Sequence, residues 1–309
     1  MAMLTAGQTA YVRAGTYEEA LAGTCSEAYN SLSWSASGRS DAPITISGYP
    51  GEDRQVVVRT RLKLNGSWLR LRNLVVDTNR SLSSFDGACT GHTNIAIYGD
   101  DDELSGLEVR NSNMSGILLG STGVDRAVIR ENWIHDNGTH TNLDHGIYWS
   151  SGTGGVIANN LIERSQAYGI QMYPSPSGQT IMQNTIVASG YSRAGIILNT
   201  TGSGIAVVNN ISAFNTGPGI RVSGNGCSAC FADQNVLFGN SVDYDGSGLV
   251  IYSTIRLDPR FVNRAAGDHH LMTGSPAADV ARPAYSMTTD FDGRLRPQGA
   301  APDVGAFER

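Results

Sequence analysis

The sequence is poor in charge and almost without lysine. Of its 309 residues only 16% are charged, and the formal net charge is −6, so nothing in bulk attracts it to nucleic acid. Its 22 basic residues comprise Lys63 and 21 arginines, which removes lysine from nearly every catalytic role. No run of 18 apolar residues occurs, so no segment is long enough to cross a bilayer as a helix. A helical 3.6-residue apolar period is missing between residues 60 and 255, which excludes a helical bundle. Cysteine is confined to Cys25, Cys89, Cys227 and Cys230. Spacing allows Cys227 with Cys230 and leaves Cys25 with Cys89; a zinc site would want the second pair as closely spaced as the first.

What is present is glycine, 37 residues of it with no G-X-Y period, in a chain that is 40% hydrophobic. Such a composition belongs to a folded, turn-rich β protein. Segments AVIRENWI, GVIANNLI, QTIMQNTI and IAVVNNIS superimpose, aligning Asn132, Asn160, Asn184 and Asn210, with Asn235 following at spacings of 28, 24, 26 and 25 residues. A second anchor recurs in SGILLG, HGIYWS, YGIQMY, AGIILN and PGIRVS. A unit of this length made of short strands cannot bury its own apolar face, and stacking copies along an axis solves that problem. The expected fold is all-β: a single-stranded parallel β-helix with irregular coils over 1–60, regular rungs over 61–255 and closing strands with a C-terminal cap over 256–309. The recurrent Asn reads as a buried, inward-turning ladder at a bend where Asn tolerates the left-handed conformation.

The repeat, the opening AYVRAGTYEE, the phrase PITISGYPGE and the ending SPAADV…TDFDGRLRPQGAAPDVGAFE resemble secreted bacterial right-handed parallel β-helix proteins of the pectate-lyase-like superfamily. The resemblance covers nearly the whole chain and implies the hand of the coil. It implies a polysaccharide-active protein without fixing the activity, since lyases, hydrolases, uronate epimerases and binding proteins share the scaffold. The opening MAMLTAGQTAYVRAGTY reads as an initiating Met joined to a mature segment, so a secreted monomer is expected whose signal peptide is absent from this sequence.

Residues at equivalent positions of stacked rungs form columns. In the GI strand, Ile117, Ile147, Ile170, Ile196 and Ile220 are expected inside. Three columns are expected outside: Leu118, Tyr148, Gln171, Ile197 and Arg221; Gly120, Ser150, Tyr173, Asn199 and Ser223; and Ser115, His145, Tyr168, Ala194 and Pro218. Extra residues in NGTHTNLDH and SGYSR would wall a groove beside them. Aromatic faces and amides in such a groove suit a sugar chain. Hydrolysis needs two carboxyl groups, and this face offers only Asp144. Elimination from an acidic glycan needs a base, a proton donor and a group that neutralises the sugar carboxylate. His145, Tyr148, Tyr168, Asp144 and Arg193 are the expected catalytic set, with Asp144 orienting the imidazole, and Gln171, Tyr173, Asn199, Arg221 and His140 the expected substrate contacts. Epimerisation, hydrolysis and plain glycan binding are the alternatives. Asp136 over Arg164 and His135 over Glu163 read as inter-rung ion pairs. The acids Asp100, Asp101 and Asp102 are a weak Ca²⁺ candidate, a role the resemblance suggests, against the plainer reading of a solvated turn. His269 and His270 read as structural or exposed, and the last residues as a cap over the final rung.

Overall fold

The computed structural model describes residues 4–18, 31–78, 93–120, 123–190, 193–224 and 226–309. Three parallel sheets run the length of the coil: sheets A and B with ten strands each and sheet C with nine. One rung shows the plan. Sheet C receives Ile147–Thr153, sheet A Val156–Ala158 and sheet B Leu161–Glu163 before the chain re-enters sheet C at Ile170–Ser177. Every contact between consecutive rungs is in parallel register. The result is a right-handed parallel β-helix. Regular pairing begins at Thr9–Val12 on Ile44–Gly48, well upstream of the expected boundary at residue 61.

Alternation dictates the core. The central residue of each three-residue strand points inward in sheets A and B: Ile129, Ile157, Ile181 and Val207 in one, Val109, Ile134, Ile162 and Ile186 in the other, all fully buried. Sheet C contributes its first and third residues, including Ile147 with Trp149 and Ile170 with Met172, equally buried. Each such side chain contributes about 1.5–3 kcal/mol relative to exposure. The repeated glycine before the sheet C strand has a steric cause: a Cβ on Gly146 would lie 2.6 Å from the Gly169 carbonyl oxygen and 2.7 Å from Ile162 Cγ2.

The asparagine ladder is present at the bend from sheet A to sheet B. Asn160 donates its backbone N–H (3.0 Å) and Nδ2 (2.9 Å) to Asn184 Oδ1, and Asn184 does the same to Asn210 Oδ1 at 3.0 and 2.9 Å. The left-handed residue is the one before each ladder asparagine: Glu131, Asn159, Gln183, Asn209 and Gln234 all have φ between 52° and 58°. The ladder amides are thereby free to point in while the preceding side chains point out. A second ladder, not read from the sequence, occupies the bend from sheet B to sheet C, where Asn215 donates to Asn240 Oδ1 at 2.9 Å and Asn137 Oδ1 accepts from Ser112 N at 3.0 Å.

The C-terminal segment is a strap along the flank and does not cover the last rung, where Tyr252 is 69% exposed. It docks on the outward side chains of the A–B bend in reverse order. Arg282 pairs with Asp233 (2.8 Å) and donates its N–H to Asn209 Oδ1 (2.8 Å), Met287 N donates to Gln183 Oε1 (2.8 Å), and Asn159 Nδ2 donates to the Thr289 carbonyl (2.5 Å). The strap is locked by Arg296, whose wholly buried guanidinium pairs with Glu308 at 3.1 Å. Cys227 and Cys230 form a disulfide; Cys25 and Cys89 lie outside the described residues.

Candidate functional site on sheet C

Register places Lys63, Ala96, Leu118, Tyr148, Gln171, Ile197, Arg221 and Asp245 in one outward column of sheet C. Tyr148, Gln171 and Arg221 are partly exposed on it, Tyr173 stands beside them at 42% exposure and Asn199 is partly exposed, whereas Ile197 is buried. Lys63, discounted by reasoning from sequence, shares this column, with its Nζ 4.9 Å from the Tyr98 ring centroid. Its strand RLKL carries no GI motif, so the repeat gave no signal of its place.

The third column is not outward. Ser115, His145, Tyr168 and Ala194 are all buried, His145 to 2% exposure. Nor do the described residues of the two insertions stand apart as walls. Arg193 crosses from one to the other, donating Nε to the Thr141 carbonyl (3.1 Å), Nη2 to Asn142 Oδ1, and Nη1 to Tyr168 Oη (3.3 Å). Arg193 thus ties the first insertion to Tyr168, whose ring packs on the imidazole. His145 packs edge-on to Tyr148 (5.5 Å between centroids) and tilted against Tyr168 (5.3 Å). Its Nδ1 accepts the Tyr168 backbone N–H at 3.3 Å, which leaves the proton of the neutral ring on Nε2. Burial pushes the imidazole down to about 3, the Gln171 side chain opposing that fall and the Arg193 charge adding to it. Burial likewise raises the Tyr148 phenol above its ordinary value, against a hydrogen bond with Ser150 and with a small contribution from Tyr173.

Asp144 does not orient His145. Its Oδ2 accepts the backbone N–H groups of Thr139 (2.7 Å) and His140 (2.5 Å) and lies 3.1 Å from His140 Nδ1, closing the first insertion as a turn. His140 stands at the tip of that loop, half exposed. Arg221 is also committed, its Nε 2.6 Å from Asp245 Oδ2. The structure therefore brings His145, Tyr148, Tyr168, Gln171 and Arg193 together. It leaves Tyr173, Asn199 and Arg221 farther along the same face and turns Asp144 and His140 away into a loop.

The acidic turn is neither a solvated loop nor a convergent ligand set. Asp100 accepts the Asp125 N–H (2.9 Å), Asp101 pairs with Arg126 (2.7 Å), and Asp102 turns inward to accept the Leu69 N–H at 2.7 Å. These residues do not fit Ca²⁺, and among the described residues no group of three or more His, Cys, Asp or Glu is placed to hold a metal. On sheet B, Asp136 pairs with Arg164 as expected (2.8 Å), but His135 lies over Glu163 only in register. Its ring turns to Asp136 (2.7 Å) and Glu108 (3.4 Å), while Glu163 accepts Trp133 Nε1 and faces the buried His269. His270 is half exposed between Asp268 and Asp292. Among the described residues no helix is long and apolar enough to cross a membrane.

Known proteins agree with this architecture. Residues 65–263 match the family described as the right handed beta helix region. No curated protein sequence matches the chain. Among solved structures, the pectate lyase Pel9A superimposes with a TM-score of 0.65 at 12% identity, over 99% of this chain and 89% of that one. A mutant of the PL6 family alginate lyase AlyGC superimposes with a TM-score of 0.53 at 15% identity, over 81% of this chain but 38% of the other. At such identities the likeness is one of fold. Spanning about two thirds of the sequence, the family match and the coil just described lead to one statement: the chain belongs to the right-handed β-helix family.

Proposed function

We propose that the protein is a secreted, monomeric polysaccharide-acting enzyme that cleaves a uronic-acid-containing glycan by β-elimination on the outer face of sheet C. The observation that carries this reading is the meeting of two phenols, an imidazole and a guanidinium at Tyr148, Tyr168, His145 and Arg193 with, among the described residues, no pair of carboxylates beside them. Hydrolysis by two acids lacks its parts there. Tyr148 is the partly exposed reactive group. Its raised pKa keeps the phenol protonated, so it gives its proton to the glycosidic oxygen as the C–O bond breaks and takes up the proton leaving the carbon beside the carboxylate, in one concerted exchange. Gln171 and Asn199 supply amide donors to the sugar carboxylate. His145, with Nδ1 engaged and the ring buried, positions Tyr148 and is not the base.

Incubation with alginate, pectate or glycosaminoglycans is expected to produce the ultraviolet absorbance of an unsaturated uronate. Tyr148→Phe should lower that rate by ~100-fold or more, while His145→Phe retains measurable elimination. Equal loss in both variants returns the base role to His145, and new reducing ends without the absorbance select a hydrolase. The burial of His145 favours one other reading, a face that binds glycan without turning it over; retention on immobilised glycan with no new ends selects that.

A further inference from the structure

A separate groove of about 700 Å³ lies on the outer face of sheet A, at the first rungs of the coil, far around the circumference from sheet C. Its floor is built by strand alternation. One column reads Tyr11, Ser47 and Arg72; the next reads Thr9, Thr45 and Arg70. Tyr11 is 56% exposed at one end, braced edge-on by Tyr49 with ring centroids 6.0 Å apart. At the other end Glu103 receives Arg72 (3.0 Å), Arg130 (2.7 Å) and, more distantly, Arg70 (3.5 Å). Arg130 has a second acid in Glu131 at 2.6 Å. Arg70 and Arg72 therefore share a carboxylate that a third guanidinium also occupies, which leaves positive charge over at the floor. Asp41, which lies 3.7 Å from the Arg39 guanidinium, and Asp53 also line the groove.

We propose that this groove is a second glycan-binding site, which takes a short acidic oligosaccharide with a carboxylate on Arg70 and Arg72 and a sugar ring against Tyr11. Two rung spacings, ~10 Å, separate the arginine row from the tyrosine row, with the partly exposed Thr45 hydroxyl between them as a hydrogen-bonding partner for the sugar, while Ser47 is buried and donates to the Gly48 carbonyl at 2.9 Å. A planar guanidinium pair matches a carboxylate in geometry as well as charge, and an exposed aromatic ring stacks on the CH face of a pyranose. The groove's aliphatic lining is confined to Ala42, Pro43 and Pro50, among charged and hydroxyl side chains. The inference does not rest on the sheet C reading, since it concerns a different face and requires no turnover.

The test is calorimetric titration of the whole chain with trigalacturonate, with trimannuronate and with neutral xylotriose. At least one acidic trisaccharide is expected to bind more tightly than xylotriose. Arg70→Gln with Arg72→Gln should weaken that binding by ~10-fold or more, and Tyr11→Ala, an exposed change that spares the fold, should weaken it several-fold. Tyr252→Ala, an exposed change on the last rung, should leave it unchanged, and added salt should weaken it. The proposal is overturned if neither acidic trisaccharide binds, or if the Arg70/Arg72 and Tyr11 variants bind like the parent. Thermal unfolding of each variant separates lost binding from lost structure, and elimination measured in the same variants keeps the two sites distinct.

Discussion

Asn184 carries more of the fold than its polarity suggests. It is fully buried, accepts two donors from Asn160, and donates to the Ile157 carbonyl at 2.8 Å and to Asn210 at 2.9 Å. Asn184→Ala leaves several buried groups unpaired, so a loss of about 2–4 kcal/mol is expected in denaturant unfolding, against at most ~0.5 kcal/mol for the surface change Asn199→Ala. Asp102 acts in the opposite sense. It is fully buried with one oxygen unpartnered, and burial raises its pKa from 3.8 to about 8, with the Leu69 N–H opposing the rise and Asp100 and Asp101 adding to it. Because the folded form holds the proton more tightly than the unfolded chain, this residue lowers stability as pH climbs from 3.8 toward 8, with no further change above. Asp102→Asn should flatten that part of the stability–pH curve; an unchanged slope would show the carboxyl to be ionised. Neither partner set was readable from residue type alone. The run YGDDDEL gives no sign that its third acid faces the core, because one residue of left-handed backbone at Asp101, φ 59°, decides it.

At the level of elements, the strap and the clasped insertions changed what the repeat implied. The strap binds the bend through side chains that the left-handed backbone turns outward, and its own integrity depends on Arg296, which also donates to the carbonyls of Asp303 and Gly305, both at 2.8 Å. Glu308→Ala leaves that guanidinium buried and unpaired, which should cost about 3–5 kcal/mol. Limited proteolysis should then cut within residues 282–309 before the coil. Resistance equal to the parent would mean the strap is held elsewhere. The insertions NGTHTNLDH and SGYSR were visible as extra length between anchors, yet length does not say whether two loops stand apart or meet. Arg193 decides that by reaching Thr141 and Asn142, beside a His145 that is 2% exposed.

Across the whole molecule, the stack fixes the direction in which a polymer can lie. Six rung spacings, ~29 Å, separate Lys63 from Arg221 along one column, with Tyr148 midway. Inhibition of elimination by uronate oligomers should therefore strengthen with oligomer length and level off once that span is filled; strength independent of length would mean that only the neighbourhood of Tyr148 binds. The rung, its inward isoleucines, the buried ladder of Asn160, Asn184 and Asn210, and the Asp136–Arg164 pair were all legible from periodicity, because stacking forces equal positions into equal environments and so writes them as a repeat. Contacts between parts outside the repeat were settled by folding: the neutral His145 beside Arg193, Asp144 closing its own loop, and the strap laid along the flank. These depend on where side chains of unrelated segments happen to end in space, and local spacing along the chain carries no record of that.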